Sequence, residues 1–235
     1  MQLALVFAAR LASLLPMKIP ILLIIASAGF ALADETEKKE APATFEENFD
    51  KVEVGKAPDK VMEIEGTFQV VEEDGKKFLR VGIEPLAENG IVLGPSMKGG
   101  GTIEAKIRSF KKRRSFPRFG VGLHGISGYR LRVVPSGGAL ELLKNEEVVA
   151  KEKFTWKADA WTNLKLEIKK DGEAWSIKGW VWPVAEGDEG KQPEKPSIAH
   201  SDKEAPGQGK GSLWGSPYSG KPVDFDDVKI EAAKE

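Results

Sequence analysis

Arginine and histidine side chains recur at alternate positions in two neighbouring segments of the sequence. Arg130 and Arg132 alternate with apolar residues, and in the preceding segment Arg118 and His124 share their parity with two glycines. If both segments are paired strands, one sheet face carries cations over a glycine floor that a ligand can approach closely. Arginine forks bind carboxylates and sulfates through paired hydrogen bonds, so this face predicts a groove for an anionic glycan. The alternative is a solvated face whose cations are balanced by acids from a long loop.

His124 is the one candidate for a general base in this pattern. Neighbouring arginines disfavour the cationic form of an imidazole, which suits a base. No serine or aspartate partner is evident, and the alternative is a structural histidine. The chain has two histidines and no cysteine. This composition excludes disulfides, thiolate zinc sites, iron–sulfur clusters, a cysteine nucleophile and a lipid-anchored cysteine, and it argues against a multi-histidine metal site.

Four aromatic residues are candidates for contact with a ligand. Trp180 and Trp182 share one face of a predicted strand, where tryptophans form stacking platforms for sugar rings; the alternative is burial in packing. Trp214 and Tyr218 border a segment rich in glycine and serine. Loops carry binding sites on rigid scaffolds, so a ligand-binding role and a structural role both stay open for these two residues.

Acidic residues lie near both ends of the predicted domain. Asp50 follows the first strand, and Asp226 lies among further aspartates in the last one. The first and last strands of such folds often pair, so these two residues are candidate ligands for a structural Ca²⁺. Calcium needs six to eight oxygen ligands, and backbone carbonyls would have to supply many of them. The alternative is that they are ordinary turn acids.

The N-terminal residues have the layout of a secretory signal peptide. Residues 1–33 contain no acid and include an apolar run from Ile19 to Phe30, followed by Ala31-Leu32-Ala33. We expect cleavage after Ala33, a disordered leader at 34–43, and a secreted or periplasmic protein without a membrane span. If Met17 is the true start, residues 1–16 are an upstream extension. The alternative is an uncleaved anchor helix, although the apolar run is shorter than the ~20 residues that a transmembrane helix needs.

Cations are concentrated in one segment of a nearly neutral chain. Residues 105–140 contain nine lysines and arginines and no acid, whereas the whole chain has a net charge of −1. Opposite charge blocks of this kind indicate a cationic surface. Four of these cations are consecutive, at 111–114. In the cytosol such a run would suggest nucleic acid. Because export argues against that partner, a solvated loop between two strands is the expectation.

The segments that carry these residues have the two-residue period of half-buried strands. The clearest faces are Ile103, Ala105 and Ile107 in one segment and Leu164, Leu166 and Ile168 in another. Asp-Gly turns separate many short runs of this kind, and the sequence from 44 onward shows no sustained helical period. We therefore predict an all-β, two-sheet antiparallel sandwich as a single domain from 44 to 235, with a long proline-rich loop at 183–211.

The C-terminal third carries a family resemblance. It runs Trp161-Thr-Asn-Leu-Lys-Leu-Glu-Ile, then Trp175-Ser-Ile-Lys-Gly-Trp-Val-Trp-Pro, Gly209-Lys-Gly-Ser-Leu-Trp and Val223-Asp-Phe-Asp-Asp-Val-Lys-Ile. This pattern resembles the concanavalin A-like (laminin-G-like) jelly-roll domains of exported bacterial proteins. The resemblance implies a jelly-roll sandwich and covers sugar-binding domains, glucanases, polysaccharide lyases and keto-disaccharide hydrolases. The Glu-x-Asp-x-x-Glu, Gln-Ile-His and Asn-Ser-Gly segments associated with such enzymes are missing.

The sequence therefore favours an exported, non-catalytic domain that binds a carbohydrate, plausibly an anionic polysaccharide. The second hypothesis is a glycan hydrolase or polysaccharide lyase with His124, Tyr129 and the arginines in its site. In a lyase, arginine would neutralise a uronate carboxylate while a base removes the C5 proton. The third hypothesis is a structural or protein-binding component of the cell envelope.

Overall fold

The computed structural model describes residues 43–59, 61–83, 88–184 and 190–233. They belong to one compact unit, Glu40–Glu235. The described residues form fifteen strands and one 3-10 turn at Pro135–Gly137. In chain order the strands are β1 (Thr44–Glu47), β2 (Met62–Glu65), β3 (Phe68–Glu73), β4 (Lys76–Val81), β5 (Asn89–Met97), β6 (Gly101–Ser109), β7 (Arg118–Leu123), β8 (Tyr129–Val134), β9 (Ala139–Lys144), β10 (Glu147–Lys153), β11 (Trp161–Asp171), β12 (Ala174–Pro183), β13 (Ile198–Asp202), β14 (Gly209–Ser216) and β15 (Val223–Ala232).

The strands form two antiparallel sheets. Sheet A has the spatial order β13-β12-β11-β6-β15-β4-β3, and β1 also pairs with β15. Sheet B has the order β10-β9-β8-β7-β14-β5-β2. The predicted all-β, two-sheet antiparallel sandwich is confirmed. Among the connections that cross between the sheets, β6–β7 and β14–β15 lie at the same end of the sandwich, because Ser109 pairs with Val223 and Arg118 with Ser216.

The core lies between the sheets, and the alternation in the sequence decides which side chains enter it. Strand β6 buries Ile103, Ala105 and Ile107, and β11 buries Leu164, Leu166 and Ile168. Complete burial of one such side chain stabilises the fold by about 1.5–3 kcal/mol. From sheet B, Phe119, Val121, Leu123, Tyr129, Leu131 and Val133 point into the same core. The predicted outward face of β7 and β8 is therefore confirmed.

Strand β15 brings the beginning and the end of the domain together. One edge of β15 pairs with β6 along its length. The other edge pairs first with β4, through Phe225, and then with β1, from Val228. Between these two partners the register shifts at a bulge around Asp226 and Asp227, and Asp227 has a φ of +46°. The bulge turns a pair of carboxylates out of the regular ladder, as bulges commonly do next to binding sites.

The segment from 183 to 211, expected to be one long loop, contains β13. This five-residue strand pairs antiparallel with β12 at the edge of sheet A, from Trp175↔Asp202 to Gly179↔Ile198. Strand β14 then begins at Gly209. The predicted signal peptide, the alternative start at Met17 and most of the predicted leader lie outside the described residues. Within the described part of the chain, no helix is long and apolar enough to cross a membrane.

Candidate functional site

The predicted site residues lie on two opposite outer faces of the sandwich. Sheet B carries Arg118, Arg130, Arg132 and Trp214 on its outer face, with His124 and Tyr218 next to the ends of its strands. Sheet A carries Trp180 and Trp182 on its outer face, because their neighbours Ile177 and Val181 point into the core. The two tryptophans therefore cannot act with the arginines on one ligand surface.

The two arginines of β8 are already bound to carboxylates. Arg130 is only 4% exposed, and its guanidinium nitrogens lie 2.9 Å from a Glu88 oxygen and 2.5 Å from a Glu146 oxygen. Arg132 donates to Glu141 at 2.9 Å. The charges on this face are thus balanced, as the solvated-face alternative expected. The acids come from β9 and from residues next to β5 and β10, however, and not from the long loop.

The glycines of this face accommodate Trp214 and the neighbouring strand, which corrects the expected floor for a ligand. A Cβ added to Gly90 would lie 2.7 Å from the indole of Trp214. A Cβ on Gly120 would lie 2.2 Å from the carbonyl oxygen of Leu131. The guanidinium carbon of Arg130 lies 3.6 Å from the centroid of the Trp214 ring, in cation–π contact. Trp214 is therefore covered by protein on this side and is 6% exposed, so it does not offer a sugar an open stacking surface.

Tyr218 and His124 occupy opposite ends of the sheet B face. The guanidinium of Arg118 lies 5.4 Å from the Tyr218 ring centroid, and both residues are half-buried. His124 has a φ of +67° and is 4% exposed. Burial lowers the pKa of His124, against smaller opposing effects of the Gly207 and Met97 backbone, so the ring is neutral at pH 7.

His124 lacks the partners that a catalytic base usually has. Among the described residues, neither ring nitrogen makes a hydrogen bond of good geometry with a side chain. The ring lines a depression of about 400 Å³ together with the exposed side chains of Met62 and Ile126. A neutral imidazole can accept a proton, but the described structure places no carboxylate or hydroxyl in hydrogen-bond contact with it.

A larger cavity lies on the outer face of sheet A and was not predicted from the sequence. Its volume is about 600 Å³. Its walls come from β1, β6, β11, β12 and β15, and the lining residues are Glu46, Glu47, Asn48, Glu104, Lys106, Asn163, Trp182, Gly190, Asp227, Val228 and Lys229. We call this cavity the sheet A groove. It exposes both hydrogen-bond donors and acceptors, and one aromatic side chain.

Asn163 and Trp182 are directly opposite each other on adjacent strands of this groove. The Nε1–H of Trp182 donates to the carbonyl oxygen of Gly190 at 2.7 Å, which fixes the indole. Asn163 is 4% exposed, and its side-chain amide has no hydrogen-bond partner among the described residues. Unlike the side-chain oxygen of Asn89, the amide atoms of Asn163 are not fully shielded from solvent, so they face the open groove. The amide can bind a ligand that enters the groove.

Charged groups flank this amide. On the next strand, Lys106 forms an ion pair with Asp227 at 2.7 Å. Burial, followed by the negative charge of Asp227, raises the pKa of Asp226 to about 7. Asp226 lines an adjoining cavity of about 340 Å³, which shares Lys106 and Asp227 with the sheet A groove. Near neutral pH the carboxyl group of Asp226 is therefore partly protonated, and it lies beside the sheet A groove, not in its lining.

The two candidate calcium ligands are close enough to affect each other. The first and last strands do pair, and the charge of Asp50 makes the smallest contribution to the raised pKa of Asp226. The described residues contain no group of three or more histidine, aspartate or glutamate side chains that could hold a metal ion. Two carboxylates fall well short of the six to eight oxygen ligands of calcium.

The groove residues missed by the sequence analysis gave only a weak signal. Asn163 occupies an outward position of β11, where any polar residue is ordinary. Its importance comes from the register Asn163↔Trp182 and from the lack of a partner, and neither follows from one strand alone.

Solved structures of other proteins share this fold. A carbohydrate-binding module, CBM66 from Bacillus subtilis, matches with a TM-score of 0.50 and 16% identity over 73% of this chain and 95% of that one. A Bacillus licheniformis GH43 protein matches with a TM-score of 0.55 and 15% identity, over 80% of this chain and 39% of that one. A Bacillus subtilis protein of unknown function with a galectin-like fold matches with a TM-score of 0.54 and 12% identity, over 84% of this chain and 99% of that one.

At these identities the matches establish the fold alone, which is a concanavalin A-like jelly roll of two antiparallel sheets. The predicted resemblance is confirmed at this level. No protein-family model and no curated protein sequence matches the chain.

Proposed function

We propose that the protein is an exported, non-catalytic carbohydrate-binding domain and that it binds glycan in the sheet A groove. The observation that carries the proposal is the side-chain amide of Asn163, which faces the groove and lacks a hydrogen-bond partner among the described residues. Export rests on the layout of residues 1–33.

The chemistry of the groove suits a sugar. Sugar rings combine apolar C–H faces with hydroxyl groups that both donate and accept hydrogen bonds. The Asn163 amide supplies both a donor and an acceptor, and Glu104 supplies acceptor oxygens. Trp182 is 6% exposed, like Trp214, so it supplies only a small apolar contact at the wall of the groove. The fold relationship is in keeping with this ligand class, because one structural neighbour is described as a carbohydrate-binding module. That neighbour supports the class of ligand and says nothing about the particular sugar.

An acidic polysaccharide at the sheet B arginines would meet competition within the protein. A glycan carboxylate or sulfate would have to displace Glu88 and Glu146 from Arg130, or Glu141 from Arg132. The same carboxylates would repel it. We therefore propose that the sheet A groove binds sugar hydroxyl groups, and that binding of acidic groups depends on a different surface.

Asp226 favours a glycan hydrolase as the second candidate function. Inverting and retaining glycosidases use one protonated and one ionised carboxyl group across the scissile bond. Asp226, with its pKa raised to about 7, and Asp227 could supply such a pair beside the groove. A reducing-end assay on any bound glycan separates the two functions, and loss of activity in Asp226→Asn would assign the acid.

The test of binding is a glycan array probed with the purified full chain, followed by calorimetry on the hits. Asn163→Ala should weaken binding about 3- to 10-fold, the value of one or two hydrogen bonds. Gln69→Ala is the matched control, because Gln69 is an exposed amide on the same sheet face, outside the groove. Equal affinities of Asn163→Ala and wild type would refute the groove as the site. An array without hits would favour the envelope interaction protein.

A further inference from the structure

Three connections between the two sheets converge at one end of the sandwich. The hairpin at 110–117 joins β6 to β7, and the loop at 217–222 joins β14 to β15. The register Ser109↔Val223 and Arg118↔Ser216 places these two side by side. The loop at 154–160 lies next to the hairpin, because the backbone N–H of Asp159 donates to the carbonyl oxygen of Ser109 at 2.9 Å. We call this surface the basic end.

The basic end carries seven cations and one acid, Asp159. The cations are Lys111, Lys112, Arg113, Arg114, Arg118, Lys157 and Lys221. All except the half-buried Arg118 are exposed. In the described part of the structure, none of the seven forms an ion pair, and Arg118 stacks on Tyr218. Among the described residues, no ion pair compensates the positive charge of this surface.

The other arginines of the described chain behave differently. Arg80 and Arg108 bind Asp224, and Arg130 and Arg132 bind glutamates. Every described arginine outside the basic end therefore has a carboxylate partner. The contrast concentrates free guanidinium groups on one surface, where their fields add.

The hairpin that presents most of these cations has a fixed backbone. Lys112 and Ser115 exchange hydrogen bonds of 3.1 Å and 3.0 Å, which closes a tight turn with Arg113 and Arg114 at its tip. Arg113 has a φ of +55°, in the region that favours glycine. A fixed turn holds the cations outward, so a polyanion that binds them does not have to order the loop.

We propose that the basic end binds an acidic polysaccharide, through sulfate or uronate groups, separately from the sheet A groove. Charge complementarity to a polyanion carries the proposal, and the choice of a polysaccharide among polyanions rests on the proposed function. A membrane surface fits less well, because none of the exposed large hydrophobic side chains among the described residues belongs to the three connections. They are Val54, Met62, Ile83, Ile126 and Val148, of which Ile83 lies near this end, two residues beyond the pair Val81↔Val223.

The test measures binding of the full chain to heparin, a sulfated chain, and to polygalacturonate, a uronate chain, with dextran as the neutral polymer. Wild type should bind both acidic chains, and log Kd against log salt should show the slope of counterion release. Lys111→Gln/Lys112→Gln should bind about five- to tenfold more weakly at low salt and lower that slope by about 0.7–0.9 for each cation removed. Lys169→Gln/Lys170→Gln is the matched control, an exposed pair beside another hairpin with the same charge change.

Arg113→Gly separates charge from folding. Glycine adopts the positive φ of this position without strain, so the variant should be as stable as wild type or more stable, yet bind the acidic chains more weakly. Equal losses in both lysine pairs, or undiminished binding by Arg113→Gly, would overturn the proposal. So would binding to phosphatidylserine vesicles or duplex DNA without binding to either polysaccharide.

The proposal for the sheet A groove and the proposal for the basic end can be refuted independently. Asn163→Ala should leave heparin binding unchanged, and the lysine variant of the hairpin should leave binding of neutral glycans unchanged. Heparin binding without any neutral hit would support the basic end and refute the groove. Neutral binding without a response to heparin or polygalacturonate would do the reverse.

Discussion

Asp224→Ala should be the most damaging single substitution on the outer face of sheet A. Asp224 is 0% exposed and lies on the central strand β15, directly opposite Arg80 on one side and Arg108 on the other. Its Oδ1 accepts from Arg80 Nε at 2.6 Å, and its Oδ2 accepts from Arg80 Nη2 and from Arg108 Nε and Nη2 at 3.0, 3.1 and 2.8 Å. One carboxylate thus joins three strands through four charge-assisted hydrogen bonds.

Removing this carboxylate leaves two partly buried guanidinium groups with a single remaining acid, Glu73. Loss of one partner from a buried ion pair typically costs about 3–5 kcal/mol, because the opposite charge stays desolvated. Arg108 also lies 4.9 Å from the ring of Phe78 and 5.1 Å from that of Trp161, so these contacts would loosen with it. We expect Asp224→Ala to lower the free energy of unfolding by about 3–5 kcal/mol. Asp224→Asn keeps one acceptor oxygen and should lose about half of that.

Urea unfolding followed by tryptophan fluorescence measures these changes, with the m value checked for constancy. Glu53→Ala is the control, because Glu53 forms an ion pair with Lys56 while about 70% of its side chain is exposed. An exposed pair of this kind contributes roughly 0–1 kcal/mol. If Asp224→Ala costs no more than Glu53→Ala, the argument that the buried carboxylate stabilises sheet A is wrong.

Three further predictions concern other polar groups. Asn163→Ala should leave the free energy of unfolding unchanged or raise it, because no described partner loses a hydrogen bond, and a loss above ~1 kcal/mol in urea would contradict this. The raised pKa of Asp226, about 7, contributes stability that is lost between about pH 4 and pH 8, whereas the lowered pKa of His124 contributes in the opposite direction. The difference in the free energy of unfolding between wild type and Asp226→Asn isolates the contribution of Asp226 and should fall over this pH range. Asp202→Asn should lower the raised pKa of Tyr129 only in part, because the burial of the phenol remains. The chain has two tyrosines, so ultraviolet absorbance at alkaline pH in a Tyr218→Phe background reports the titration of Tyr129 alone.

The sequence predicted the fold because the signal for it is local. In β6 and β11, each side chain that points into the core is separated by one residue from the next, so the buried face could be read directly. Strand β13 was not predicted, because its local signal is weak. It is a five-residue edge strand in which only Ile198 is buried, so its sequence does not alternate between apolar and polar residues. Its pairing with β12 is a tertiary contact, which the residues of β13 alone do not predict.

The candidate site was only partly predictable, because its chemistry depends on which strands become neighbours. Trp182 was singled out for its side chain and lies in the sheet A groove. Asn163 is an ordinary polar residue until the register places it beside that tryptophan without a partner. Trp214 shows the opposite case, since its side chain suited a ligand platform, but the register brings Arg130 onto its ring.

The nine cations of residues 105–140 fall into two groups, and the sequence of that segment does not show which cation belongs to which group. Its cations at Lys106, Arg108, Arg130 and Arg132 lie in strands, where pairing supplies carboxylates from as far away as Asp224, which is 116 residues from Arg108. The four at the hairpin lie beyond the paired part of the strands, and Arg118, at the first pair of β7 with β14, contacts Tyr218; none of these five forms an ion pair with a described residue. Net charge over a sequence window counts both groups alike. The strand cations therefore stabilise the fold, and the cations of the hairpin stay available to a partner outside the molecule.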